Sequence, residues 1–511
     1  MYHKGLPRRG ACLHEACCDF LEMRRCQKVQ LQNNKPSTCL TNNPPTYSHN
    51  RLPRMDCLPV FCYIRYMKRL LFCMAFFALA NVQAQVLSVR DQARVIDQIL
   101  DERINQLLPQ LMDRAGIDMW VIISREYNED PVLKTFLPST WLSARRRTIL
   151  VFYRNVRTNG LEKLAIARYN VGASIKAAWD PQKQPDQWAA LTEIINSRNP
   201  QKIGLNFSSD FAHADGLTHT EYRELMERLS VSQKAKITSA EKLAVSWLET
   251  RTESEMNLYP RLVQLTHDLI AEAFSEKVIT PGVTTTDDVV WWFRSRFAEM
   301  GLSTWFHPSV DVQRADSASV EHLRSFANRP ADDVIRPGDL LHCDVGITYL
   351  RLNTDVQQHA YMLLPGEKTV PENLQAAMEN TRMLQDMLTS QFKSGATGNQ
   401  MLAGALQKAK AAGLRPSIYT HPLGTHGHAA GPTIGMWDQQ GGVPGSGDYP
   451  LYPNTAYSIE LNTTAYIPDW KKDVRIMLEE DGYWDGQQFR YISGRQKAMY
   501  LIPRPVPALS D

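Results

Sequence analysis

The body of this chain is almost free of cysteine. Eight of the nine cysteines lie at or before Cys73, and only Cys343 occurs later. A single cysteine cannot form an intramolecular bridge, so the body of the protein has to be stable without disulfides.

The chain also lacks a strong net charge, although its charges are unevenly distributed. The formal charge is +3. Residues 1–84 contain 12 Lys or Arg against 4 Asp or Glu, and the remainder contains 45 against 50. This mildly acidic remainder gives no reason to expect a nucleic-acid partner.

The apolar stretch at residues 70–80 is too short to span a bilayer comfortably, since a spanning helix needs about 20 residues. It follows two basic residues and precedes small residues that suit signal-peptidase cleavage before Gln85. We therefore predict a signal peptide over residues 67–84, starting at Met67. The alternative is a buried helix, but no amphipathic period supports it.

Residues 1–66 are rich in Cys, Asn and Pro and show no hydrophobic pattern, so we expect an unstructured upstream extension there. An exported body without disulfides fits a bacterial periplasm. We therefore predict a periplasmic or secreted protein with no stable membrane anchor after cleavage.

A length of 511 residues is too great for one ordinary core, so two folded domains are expected. Residues 85–246 have the pattern of an α/β domain, with no metal-ligand spacing and no phosphate-binding glycine loop. We expect this domain to support or shape a site in the other half. Its predicted helices are 93–115 and 188–197, and its predicted strands are 119–123, 148–153, 164–168 and 202–206.

Residues 247–511 mix helices and strands and form the second predicted domain. A turn at Pro337, Gly338 and Asp339 separates two early helices from the first strand. The predicted helices are 253–274, 286–300, 372–393 and 400–413, and the predicted strands are 340–344, 457–466 and 474–480.

Two aspartates in this second domain are placed to act together. Asp344 ends an apolar strand, and Asp355 follows it by 11 residues, a separation that suits two paired strands with both carboxylates on one face. Two such carboxylates repel each other unless something positive lies between them. The alternative is that both cap turns at a sheet edge, but an unpaired Asp in an apolar strand is costly.

Further candidate ligands lie downstream. His428 lies among small residues that allow close approach of a ligand, and it clusters with His421 and His426. Glu460 and Glu479 each interrupt a run with the character of a buried strand. Four carboxylates and one imidazole form a hard, oxygen-rich set suited to Mn²⁺, Zn²⁺, Co²⁺ or Fe²⁺.

The order Asp, Asp, His, Glu, Glu resembles the pita-bread metallopeptidases, which include methionine aminopeptidase, aminopeptidase P and prolidase. The motifs that carry the resemblance are residues 338–346, 427–431, 458–460 and 474–481. They imply an α+β pita-bread catalytic domain over 247–511. The α/β domain before it fits the two-domain branch that also contains creatinase.

The resemblance also implies roles for individual residues. Asp344 would bind one divalent metal, Asp355 and Glu479 would bridge two, and His428 and Glu460 would bind the second. The metal pair, with manganese expected first, would activate water and polarise the scissile carbonyl.

Two side chains near the metal ligands would assist the reaction. Glu460 would also carry a proton to the leaving amine. Arg475 would orient Glu479 from outside the metal ligands.

The chain departs from the family pattern at the glutamates and after the second aspartate. Leu461 stands where proline usually follows the metal glutamate, and two extra residues before Glu479 leave Glu480 as an alternative ligand. Residues 357–359 are Gln-Gln-His where the family has Thr-Arg-Thr.

The histidine that binds substrate in the family has no counterpart at the expected position, where Gly435 stands. His421, His426, His307 and His322 are the candidates to replace it. Spacing alone does not choose among the four.

The implied function is a dinuclear-metal-dependent aminopeptidase or dipeptidase that hydrolyses N-terminal peptide bonds, with Xaa-Pro bonds as the expected substrates. Two alternatives stay open. One is a catalytically silent pita-bread domain that binds peptides or proteins, and the other is a metal-dependent lyase or non-peptide amidase. A peptide is the expected partner, and a homodimer is expected because dimers are common among the relatives.

Overall fold

The computed structural model describes residues 86–155, 157–316 and 333–504. The predicted upstream extension at 1–66 and signal peptide at 67–84 lie outside these described residues. Within the described ranges, no helix is both long enough and apolar enough to cross a membrane.

The first part of the described chain is built on one six-stranded mixed sheet with the strand order β4-β3-β2-β1-β5-β6. Its strands are β1 (Met119–Arg125), β2 (Arg147–Asn155), β3 (Gly160–Ala165), β4 (Lys176–Ala177), β5 (Ile203–Leu205) and β6 (Ile237–Ser239). The helices are α1 (Val89–Glu102), α2 (Leu108–Ala115), α3 (Pro131–Phe136), α4 (Gln187–Arg198), α5 (His219–Arg228), α6 (Val231–Lys234) and α7 (Glu241–Glu249).

The central strand β1 is apolar from Met119 to Ile123 because both of its faces are covered there. Trp120 and Ile122 point into a core shared with α2 and α7. Val121 and Ile123 point into a second core that contains Trp188 of α4. Alternate side chains of one strand therefore enter two different cores, as expected for a sheet between helical layers.

Two predicted elements of this part differ from the structure. The predicted helix 93–115 is divided by a π-helical turn, Arg103–Leu107, where the Arg103 side chain turns inward to bond the backbone of Thr250. The predicted strand 164–168 begins earlier, at Gly160, because the turn at Asn159 (φ 54°) starts the return strand there.

The second part contains four helices and thirteen strands within the described residues. The helices are α8 (Glu253–Ala273), α9 (Thr286–Glu299), α10 (Glu372–Thr389) and α11 (Gly398–Ala411). The strands are β7 (Ser309–Gln313), β8 (Leu340–Val345), β9 (Thr348–Tyr349), β10 (Leu352–Asn353), β11 (Val356–Met362), β12 (Pro416–Ile418), β13 (His421–Leu423), β14 (Thr455–Ser458), β15 (Leu461–Ile467), β16 (Lys472–Leu478), β17 (Asp481–Trp484), β18 (Phe489–Tyr491) and β19 (Tyr500–Ile502).

These strands form several small sheets. Their orders are β19-β11-β8-β7, β12-β15-β16, β13-β14-β17-β18 and the pair β10-β9. Helices α10 and α11 share a core with β15 and β14, and α8 and α9 share another with β8 and β11.

The predicted strand 457–466 is broken in two, and the predicted strand 474–480 ends at Leu478, two residues early. Glu460 lies between β14 and β15, and Glu479 lies between β16 and β17, where the chain passes from one small sheet to the next. The break is bridged by backbone bonds, since Ile459 N donates to Glu480 O at 3.0 Å and Tyr419 N donates to Glu460 O at 3.1 Å. Both glutamates therefore lie between consecutive strands, and Glu479 is held there by an isolated antiparallel bridge to Gln357.

A buried ion cluster joins the first helices to the second part. Arg103 Nη1 donates to Glu255 Oε2 at 2.8 Å, and Arg251 Nη1 donates to Glu255 Oε1 at 3.0 Å. All three side chains are buried, and burial lowers the pKa of Arg103 to about 10. The Glu255 carboxylate also accepts from Thr252 N and so caps helix α8.

Replacing Glu255 by glutamine should therefore destabilise the fold strongly. Glu255→Gln leaves two buried guanidinium groups without their counter-charge, and such a loss costs about 3–5 kcal/mol. Urea denaturation of the purified protein measures it. Glu253→Gln, an exposed change in the same helical turn, should cost less than about 0.5 kcal/mol; equal losses for both variants would contradict the argument.

Candidate metal centre

The two predicted aspartates are brought to one face of a strand pair. Strands β8 and β11 are antiparallel, and their register sets Asp344 opposite Gln357, two residues after Asp355. Ligand atoms of Asp344, Asp355 and Glu479 all lie within 4.8 Å of one another. The aspartate pair is thus completed by a glutamate from the break between β16 and β17.

The second glutamate joins the same site from the neighbouring break. His421, Glu460 and Glu479 form a further group whose ligand atoms lie within 4.8 Å of one another, and Asp355, His421 and His428 form a third. The structure therefore brings together all five residues predicted as ligands, and it adds His421.

His421 has the geometry of a metal ligand. Its Nδ1 donates to the carbonyl of Pro422 at 3.0 Å, which fixes the tautomer and leaves a lone pair on Nε2. Nε2 lies 3.5 Å from Asp355 Oδ2 and 3.7 Å from Glu479 Oε1, and it finds no hydrogen-bond partner among the described residues. Burial, assisted by His428, lowers the pKa of His421 to about 3, so the ring is neutral.

His428 lies at the exposed edge of the centre. Its ring packs edge-on against His421, with centroids 4.6 Å apart, and against Trp305 at 5.0 Å. The preceding Gly427 lies directly on the Trp305 ring, where a Cβ atom would collide. Glycine at this position therefore lets the loop reach Trp305 and sets the ring of His428 over the carboxylates.

The charges of the centre require a cation. Burial, and then repulsion by Glu479, raises the pKa of Asp355. Burial and repulsion by Glu460 likewise raise the pKa of Glu479. Burial, and then Asp344, raises the pKa of Glu460 to about 8. Hard oxygen donors with one unpaired imidazole nitrogen fit a divalent metal ion, which would relieve this repulsion.

The structure also separates Glu479 from Glu480. Glu480 accepts hydrogen bonds from His267 Nε2 at 2.7 Å, Gln358 Nε2 at 2.9 Å and Gln496 N at 2.7 Å. Its oxygens are occupied away from the centre, so Glu479 is the glutamate that faces the aspartates.

Arg475, predicted to orient Glu479, acts instead on the other glutamate. Its positive charge opposes, in small part, the rise that burial and Asp344 cause in the pKa of Glu460. The Glu479 carboxylate accepts from Ser458 Oγ and from Gln357 Nε2.

The remaining histidine candidates lie outside the three groups. His426 packs against His213 with ring centroids 4.5 Å apart, and burial lowers its pKa to about 4. His307 is exposed and bonds Arg294 at 3.1 Å. His322 lies outside the described residues.

Gln357 was the contact that the sequence did not suggest. Its side chain donates to Glu460 Oε1 at 2.9 Å and to Glu479 Oε2 at 2.7 Å. The available signal was its position two residues after Asp355, which places both side chains on one face of the strand.

Comparison with known proteins identifies a matching family model and a shared fold. Residues 260–481 match the model of metallopeptidase family M24. The fold resembles an X-Pro aminopeptidase from Thermotoga maritima, with a TM-score of 0.54 and 16% identity over 77% of this chain and 99% of that one. The fold also resembles a dipeptidase from Pyrococcus horikoshii, with a TM-score of 0.50 and 17% identity over 78% of this chain and 99% of that one.

A variant of Escherichia coli aminopeptidase P gives a TM-score of 0.52 and 13% identity over 78% of this chain and 94% of that one. No curated protein sequence matches significantly. At these identities the solved structures show the fold alone, and they confirm the predicted α/β part followed by a pita-bread domain.

The stability of the metal-free protein should fall as pH rises from about 5 to 8. The ordinary pKa of a glutamate is 4.5, whereas Glu460 in the fold has a pKa of about 8, so the folded chain binds more protons in this window. Each acid whose pKa is raised on folding lowers the free energy of unfolding by up to about 1.4 kcal/mol per pH unit in this window. Urea denaturation in a metal chelator measures the slope.

Glu460→Gln should flatten that slope, and saturating Mn²⁺ should do the same for the unaltered chain. If the metal-free protein instead became more stable as pH rises across this window, the fold would not raise the pKa values of these acids.

Proposed function

We propose that this chain, in which residues 260–481 match the model of metallopeptidase family M24, is a dinuclear-metal-dependent aminopeptidase or dipeptidase acting on Xaa-Pro bonds. The observation that carries the proposal is that four carboxylates and a neutral imidazole form overlapping groups, in each of which the ligand atoms lie within 4.8 Å of one another. Because all of the expected metal donors are present, a catalytic metal centre is favoured over a catalytically silent domain that only binds peptides or proteins.

We assign the metal ligands as Asp344, Asp355, His421, Glu460 and Glu479. The resemblance had pointed to His428 as the imidazole ligand. His421 is the better candidate because it is buried, its tautomer is fixed, and its Nε2 faces Asp355 and Glu479. His428 at the open edge is then free to contact substrate.

Divalent metal ions, when bound, supply the Lewis acid that polarises the scissile carbonyl and activates water. The chain's own residues handle protons and orientation. Glu460, one of whose oxygens is held by Gln357, is the acid that accepts a proton and passes it to the leaving amine in this proposal. His428, at the edge of the site, is placed to donate a hydrogen bond to the substrate carbonyl.

The Xaa-Pro preference has support from the fold's neighbours, which include an X-Pro aminopeptidase and a dipeptidase. The predicted signal peptide at 67–84 supports export to the periplasm. A homodimer is retained as part of the proposal on the resemblance alone.

A peptide panel tests the activity. The purified chain, loaded separately with Mn²⁺, Zn²⁺ or Co²⁺, is incubated with Xaa-Pro and Xaa-Ala dipeptides and with tripeptides of the same N-terminal pairs. We expect release of the N-terminal residue from Xaa-Pro substrates, loss of activity in a chelator and recovery on adding metal back. Bound metal with no cleavage of any peptide would instead support a lyase, amidase or binding role.

Alanine substitutions of His421 and His428 should impair different properties of the enzyme. His421→Ala removes a ligand, so the metal content measured by mass spectrometry should fall. His428→Ala should keep the metal content and lower kcat/KM about 100-fold, as expected for one lost donor to the reacting carbonyl. The reverse pattern would identify His428 as the ligand.

A further inference from the structure

One uncharged side chain contacts both glutamates of the centre. Gln357 is buried, and its Nε2 uses its two protons on two different carboxylates, Glu460 at 2.9 Å and Glu479 at 2.7 Å. The Glu479 carboxylate also accepts from Ser458 Oγ. The carboxamide therefore fixes the spacing between two acids that repel each other.

The orientation of this amide is determined by its surroundings. If the amide were reversed, its oxygen would face two acids that, once ionised to bind a cation, only accept hydrogen bonds. With the nitrogen toward the acids, Gln357 Oε1 needs a donor, and His342 Nε2 supplies it at 3.0 Å. His342 is itself buried, and its Nδ1 lies 3.7 Å from Asp311 Oδ2.

The backbone holds the same residue in place. Gln357 N donates to Glu479 O at 3.0 Å, and Glu479 N donates back to Gln357 O at 3.2 Å. Gln357 also stands opposite Asp344 in the β8–β11 register. The amide is thus attached to Glu479 by main chain and side chain together, with Asp344 as its cross-strand neighbour.

We propose that Gln357, oriented by His342, is a positioning residue that holds Glu460 and Glu479 ready for the metal ions. This inference rests on the proposed metal-dependent function. The threonine found at this point in the resembling family has one hydroxyl proton and can donate to one acid, whereas the glutamine donates to two. A neutral donor also leaves the negative charge of the centre undiminished, which an arginine would not.

The matched test is Gln357→Met against Gln358→Met. Both glutamines are buried on β11, and both donate to a glutamate, but Gln358 bonds Glu480, which faces away from the centre. We expect Gln357→Met to weaken Mn²⁺ binding, measured by calorimetry on the full chain, by about 10-fold to 100-fold. Gln358→Met should stay within about twofold of the unaltered chain, because the ligands keep their partners.

A second readout separates positioning from general packing. The visible absorption of Co²⁺ bound at the centre should change in Gln357→Met and be unchanged in Gln358→Met, because it reports ligand geometry. Circular dichroism and melting in a chelator check that both variants fold. His342→Phe, which keeps Gln357 but removes the donor to its oxygen, should weaken Mn²⁺ binding in the same direction by a smaller factor.

Metal affinity and Co²⁺ absorption that are unchanged in Gln357→Met would overturn the positioning role, as would equal losses in Gln357→Met and Gln358→Met. If Gln357→Met does not fold, His342→Phe decides: unchanged Mn²⁺ affinity there overturns the proposal. An unaltered chain that binds neither Mn²⁺ nor Co²⁺ would instead refute the proposed function itself.

Discussion

Mutual repulsion among buried carboxylates is the constraint on which this structure depends. Asp344, Asp355, Glu460 and Glu479 converge on one small volume, and the last three have raised pKa values because burial and their neighbours oppose ionisation. A chain that keeps such an arrangement gives up stability at neutral pH unless a cation is bound. The clustering of these four acids is therefore better explained by a role in binding a cation than by a role in stabilising the fold.

The fold meets this constraint by breaking strands where the acids are needed. Glu460 and Glu479 lie between consecutive strands of different sheets, and neighbouring backbone bonds keep the chain ordered across the breaks. A residue inside a regular strand would have its side-chain direction set by the pleat. Between strands this alternation is interrupted, and the bridge from Glu479 to Gln357 sets that glutamate beside the aspartates near the β8–β11 pair.

Sequence reasoning reached part of this arrangement. The 11-residue spacing of Asp344 and Asp355 predicts paired strands, and the structure has them. The sequence shows both glutamates as acids in apolar runs, but a hydrophobic pattern cannot show that the chain passes from one sheet to another beside them. Nor could spacing choose between His421 and His428, because the difference lies in burial and in the bond from Nδ1 to a carbonyl. Gln357 was noticed only as a departure, since a neutral amide gives no charge signal.

The first part of the chain also reaches the site, through one buried cation. Arg251 bonds Glu255, which in turn holds Arg103 of the π-helical turn after α1. The guanidinium of Arg251 also supports the loop that carries the histidines: a Cβ on Gly424 would lie 2.9 Å from its Cζ. Glycine and arginine therefore fit each other only while the ion cluster keeps Arg251 in place. A side chain at position 424 would collide with this guanidinium, so glycine there lets the histidine loop pack closely against a residue of the ion cluster.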